Sequence, residues 1–255
     1  MSTSAEQQDH PYYLAHHFHS MDQQNAANKM GMWLFVAQEI LFFLGLFMAY
    51  SAMRYYYGDT FTMVQDLALL DVNMGALNTI VLLTSSLTMA LAVRAAQTEE
   101  RGKLEGYLVA TIGLACCFLV IKFFEYSAKL HHGTLPGRHY SSHDWEVVGT
   151  QATDGTWIDI VGTLPPTGLP EGVASYTGVS AEIAPQLFFS VYFLMTGVHG
   201  LHVLIGIGVI LWLLLRARRG EFAADNYSAV ENVGLYWHLV DLIWIFLFPL
   251  LYLVK

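Results

Sequence analysis

The chain has 255 residues, 55% of them hydrophobic and only 13% charged, too few charges to coat a soluble globule of that size. A formal net charge of -9, with no basic patch beyond the loops between apolar runs, argues against a nucleic-acid partner. The only cysteines, Cys116 and Cys117, are adjacent inside an apolar run, which is not the spacing of a structural disulfide or a thiolate metal site.

The apolar residues fall into five blocks near or above the roughly 20 residues that a membrane-spanning helix needs, at about 30–53, 73–95, 104–128, 185–216 and 232–254. The expected fold is therefore all-α, a polytopic membrane protein built as a five-helix transmembrane bundle over 29–255. Residues 1–28 are expected to form a tail on the cytoplasmic side, and about 131–184 a long external loop. No basic stretch leads into a short apolar core and a small-residue cleavage site in the first thirty residues. No cleaved signal peptide is expected, and the first span should act as its own insertion signal.

Orientation follows the positive-inside rule. With the N-terminus in the cytoplasm, Lys29, Arg94, Arg101, Lys103, Arg216, Arg218 and Arg219 lie inside. Arg54, Lys129, Arg138 and Lys255 lie outside, and Lys122 falls within a span. The expected location is the cell (inner) membrane with the C-terminus on the periplasmic side.

In chain order, the tail carries His10, His16, His17 and His19, a cluster that suits either metal binding or a solvated strap. The first span holds Glu39, about 12 Å below the start of its apolar run and so near the middle of a core about 30 Å thick. A carboxylate at that depth needs a partner, which makes Glu39 a functional-site hypothesis. The second span carries Asn78, Thr84, Ser85, Ser86 and Thr88, small polar residues suited to close helix contact. Glu99-Glu100-Arg101-Gly102 then reads as a tight turn. In the third span Lys122 and Glu125 share a helical face, either as an interfacial ion pair or with Glu125 tying down a neighbouring helix.

The external loop is acidic, with Asp144, Glu146, Asp154, Asp159, Glu171 and Glu182, and is far longer than ordinary connections. It suits a solvated insertion or a docking surface for a cationic partner. The fourth span contains Gly197-Val-His199-Gly200-Leu-His202, two imidazoles on one face beside glycines expected to permit close packing. The fifth contains Tyr236-Trp237-His238-Leu-Val-Asp241, in which His238 and Asp241 can bond each other or adjacent helices, and Pro249, expected to kink its end. These residues alone leave open a membrane haem or metal protein using His199, His202 and His238, a free-standing proton or solute transporter using Glu39 and the histidines, and a non-catalytic helical subunit.

The motifs resemble a family. Lys29-Met-Gly-Met-Trp-Leu-Phe35, Gln38-Glu39-Ile-Leu-Phe-Phe43, Leu77-Asn-Thr-Ile-Val-Leu-Leu-Thr-Ser85, Phe124-Glu-Tyr126, Gly197-Val-His-Gly-Leu-His-Val203 and Tyr236-Trp-His-Leu-Val-Asp-Leu-Ile-Trp244 occur in order, each in the corresponding span. Together they are similar to subunit III of the haem-copper terminal oxidases, in a five-helix form without the two leading helices of the seven-helix form. The resemblance implies an accessory subunit that packs beside catalytic subunit I, with subunit II also present. Such a subunit binds phospholipid and sustains proton uptake and the lifetime of the oxidase. It implies that Glu39, Glu125, His199, His202, Trp237, His238 and Asp241 form interior and lipid-support positions, with no catalytic residue, cofactor or metal in this chain. Haems and copper are then expected in the partner subunits, and cytochrome c or a neighbouring respiratory complex is a candidate partner for the acidic loop. The accessory subunit of a nitric oxide reductase system is the related alternative.

Overall fold

The structure is a computed structural model describing residues 18–56, 72–131, 147–151, 157–161, 183–222 and 226–253. Five long helices follow the apolar blocks: α1 Met21–Tyr56, α2 Val72–Gln97, α3 Arg101–His131, α4 Ile183–Arg219 and α5 Ser228–Phe248. Each is long and apolar enough to cross a membrane, so the chain is a multi-pass helical membrane protein. α5 ends at Phe248 with Pro249 as its C-cap, and the chain continues into a π-helical turn, Pro249–Leu253.

Helix ends are set by local chemistry. Ser20 caps α1, its Oγ accepting from the Gln23 N–H while Gln23 Oε1 accepts from the His19 N–H. The helix consequently begins before its apolar run and takes in residues 21–28, which the sequence assigned to the tail. α2 closes with Glu99 in the left-handed region (φ 58°), where the Glu100 N–H reaches Ala95 O and the Glu99 N–H reaches Ala96 O. α4 closes the same way at Gly220 (φ 74°), which takes this conformation without a Cβ penalty. Arg101 donates to Gly220 O at 2.7 Å and so joins the two turns.

Helices α2, α3, α4 and α5 pack in a closed ring, and α1 lies outside it against α5. In lipid, apolar surface gives little reason for helices to associate, so close approach and hydrogen bonds decide the contacts. The close approaches are at Gly75, where a Cβ would lie 2.6 Å from the Phe248 ring, and at Gly206, where it would lie 2.5 Å from Trp237. Gly197 and Gly200 do not serve this purpose: a Cβ at either meets nothing within 4 Å. The expectation of close packing there is corrected, because those two residues turn away from the ring while the glycine one to two turns further on faces it.

α1 buries only Glu39, Phe43 and Tyr50. Polar ties to α4, α5 and the π turn hold it. Lys29 pairs with Glu231 at 3.1 Å towards its N-terminal end, Glu39 meets His202 in the middle, and Tyr50 OH donates to Leu250 O at 3.1 Å towards its C-terminal end.

Between α3 and α4, strands β1 (Val147–Gln151) and β2 (Trp157–Val161) form an antiparallel hairpin with Val147 opposite Val161 and Gln151 opposite Trp157. The rest of the expected loop, including Asp144, Glu146, Asp154, Glu171 and Glu182, lies outside the described residues, as do His10, His16 and His17 of the tail.

Candidate functional site

The polar residues that the sequence singled out sit in the membrane-spanning part, distributed over separate contacts. At mid-membrane, Glu39 Oε2 of α1 lies 3.1 Å from His202 Nε2 of α4. His202 Nδ1 faces Val198 O at 2.8 Å, and a ring nitrogen facing a carbonyl must carry hydrogen. A second proton then has to lie between Nε2 and the carboxyl, either as imidazolium with carboxylate or as neutral imidazole with carboxylic acid. Either way the pair is net neutral, which makes both groups tolerable at this depth. Phe43 packs edge-on against the imidazole with ring centroids 5.3 Å apart, and Tyr236 OH donates to His202 O at 2.9 Å.

A second cluster ties α3, α4 and the π turn in the C-terminal third of α3. Lys122 Nζ donates to Glu125 Oε2 and to Tyr252 OH, each at 2.8 Å. Glu125 Oε1 accepts from Tyr192 OH at 2.7 Å and from Tyr252 OH. The ammonium also lies 4.5 Å from the centre of the Trp244 ring, within cation–π range. The side chains of Lys122 and Glu125 are only 10% and 6% exposed, so this is an interior pair and not an interfacial one. Glu125 at the same time ties down α4 and the π turn, the second of the two alternatives left by the sequence.

The remaining positions have other neighbours. His199, one turn from His202, is buried between Phe118 (5.7 Å) and Trp244 (5.3 Å). Among the described residues neither of its nitrogens has a hydrogen-bond partner. Trp237 Nε1 donates to Ser85 Oγ at 2.8 Å. His238 Nδ1 lies 2.6 Å from Ser86 Oγ and does not bond Asp241, whose buried carboxyl lies beside the same Ser86 hydroxyl. The mutual His238–Asp241 bond that the spacing allowed is thus absent, because α5 turns His238 onto Ser86 of α2. Thr88 and Thr111 complete the α2–α3 contact at 2.8 Å.

The three histidines of the metal hypothesis therefore do not converge. Among the described residues no group of three or more His, Cys, Asp or Glu side chains is placed to hold a metal ion. Tyr192 and Tyr252, which complete the shell of Glu125, were not singled out by sequence; the signal was their position inside apolar runs.

Fold and contacts together define a polytopic helical membrane protein whose interior is fastened by buried acid–base pairs and hydroxyl bonds. The sequence profile described as Cytochrome c oxidase subunit III matches residues 12–142 and 139–255. The chain is similar to Heme-copper oxidase subunit I+III of Aeropyrum pernix, 27% identical over 96% of this chain and 24% of that protein. It is also similar to Cytochrome c oxidase subunit 3 of Thermostichus vulcanus, 38% identical over 38% of this chain and 49% of the relative. A third relative is Probable cytochrome c oxidase subunit 3 of Mycobacterium tuberculosis, 25% identical over 93% of this chain and 92% of the relative. The chain thus spans about a quarter and about half the length of the first two, and nearly all of the third. It belongs to the cytochrome c oxidase subunit III family.

Proposed function

We propose that this chain is a non-catalytic accessory subunit of a proton-pumping haem-copper terminal oxidase in aerobic respiratory electron transport. In this role it sits beside catalytic subunit I, with subunit II in the same complex and the haems and copper carried by those partners. It supports the stability of the complex, its bound phospholipid and its sustained proton uptake. The observation that carries the reading is the family match over nearly the whole chain. The archaeal relative whose name joins subunits I and III supports the seat beside subunit I. The arginines and lysine at the inner ends of α2, α3 and α4 support an N-terminus in the cytoplasm.

Affinity purification of the tagged chain from native membranes in mild detergent tests this directly. Haem absorbance and a stoichiometric large subunit are expected to co-purify, and a preparation free of both overturns the reading. Loss of oxidase activity with turnover separates a supporting from an incidental role for the Glu39–His202 contact. Glu39→Gln keeps a hydrogen-bonding group and is expected to assemble with a shortened catalytic lifetime. Glu39→Ala is expected in addition to lose lipid and loosen α1. Lifetimes equal to wild type in both variants rule the role out.

The acidic external connection suits a contact with a cationic surface such as cytochrome c. If that contact exists, deleting residues 133–178 flattens the salt dependence of electron donation to the complex; unchanged salt dependence removes the idea.

A further inference from the structure

The interior of the α2–α5 ring contains polar groups that the subunit reading does not use. Asn78 of α2 is fully buried and lies on the stripe, with Gly75, Leu82 and Ser85, that faces the ring interior. Neither its Oδ1 nor its Nδ2 has a hydrogen-bond partner among the described residues. His199 of α4 is in the same condition at both ring nitrogens.

Trp244 of α5 bridges the stretches of α2 and α4 that carry these two groups. Its Nε1 donates at 3.1 Å to Thr79, the residue after Asn78, and its ring centre lies 5.3 Å from that of His199. Lys122 reaches the same ring, with Nζ 4.5 Å from its centre. Two of the ammonium's hydrogens are used by Glu125 and Tyr252, which leaves one on the side of the indole.

Burying a carboxamide and an imidazole without partners is costly, and native interiors meet that cost with protein partners or ordered water. A buried water bonds to about three otherwise unsatisfied groups, and this set supplies both donors and acceptors. An ion fits less well: Glu125 already neutralises Lys122, and the remaining groups are uncharged amide and imidazole. We propose that Asn78, His199 and Lys122 form an internal water-binding site around Trp244. Ordered water there joins His199 to the Lys122–Glu125–Tyr192–Tyr252 cluster.

The site predicts a coupling that a dry core does not. In a dry core, Asn78→Leu and His199→Phe each remove an unsatisfied polar group, and their effects on stability add. With shared water, each single substitution strands the water and the remaining partner, whereas the double substitution removes the whole set. Each single variant of the full chain is expected to lower the thermal midpoint by about 3–8 °C, with the double variant recovering at least half of the summed loss. Additive shifts, of either sign, overturn the proposal.

A density map of the native complex that resolves other internal waters provides the check on the unmutated protein. A peak within hydrogen-bond distance of both Asn78 and His199 is expected. Its absence overturns the proposal even if the variants do not fold.

Discussion

Lys122→Met is expected to be among the most damaging single substitutions in the chain, lowering stability by about 3–5 kcal/mol. The methionine nearly fills the volume of the lysine stem, so packing changes little. What changes is charge: the Glu125 carboxylate stays buried, held by Tyr192 and Tyr252 but without its counter-ion. The same logic predicts that Lys122→Met with Glu125→Gln recovers most of the loss, since a neutral amide can still accept from both tyrosines. Thermal unfolding of the purified full chain in detergent, run as a double-mutant cycle, measures this. A cycle with no coupling means that the two residues act separately, contrary to their 2.8 Å contact.

The second large effect is expected at Trp237. Trp237→Ala removes a fully buried ring and leaves the Ser85 hydroxyl without its donor, at a cost of about 3–5 kcal/mol. Trp237→Phe keeps an aromatic ring but loses the N–H and part of the benzo edge that packs on Gly206, at about 1–3 kcal/mol. The gap between the two variants reports how much of the α4–α5 contact is packing. Equal unfolding midpoints for the two would mean that the ring contributes nothing beyond its hydrogen bond.

The spans could be read from sequence because their signal is length and composition, properties that need no partner. Local stops were partly legible too. The turn at Glu99 was expected, and the capping at Ser20, Ser-x-x-Gln, was present in the sequence although the tail was assigned past it. Pairing was much less legible, because it depends on how each helix is rotated. His199 and His202 are three residues apart, roughly 60° around a helix at 100° per residue. That angle is small enough to share a face, yet it sends His202 to α1 and His199 into the ring.

The glycines show the same difficulty. Gly197, Gly200 and Gly206 look alike in sequence, and only the neighbouring helix makes one of them a contact point. Tyr192 and Tyr252 escaped notice because tyrosine in a membrane protein is usually assigned to the headgroup belt. The hairpin left a faint trace in the Asp154-Gly155 pair between two strand-like runs, which the acidic composition of the loop obscured.

The outlying position of α1 bears on how the chain is made. Glu39 and His202 are separated by 163 positions, and α5, the helix against which α1 packs, is synthesised after the other four. At about 5–20 residues per second, roughly 8–30 s pass between the emergence of the acid and that of its imidazole. For that interval the first helix lacks its partners Glu231, His202 and Leu250. Insertion of α1 and closure of the bundle are therefore two separate events in biogenesis, and an assembly factor or partner subunit has a window of seconds in which to meet α1 first.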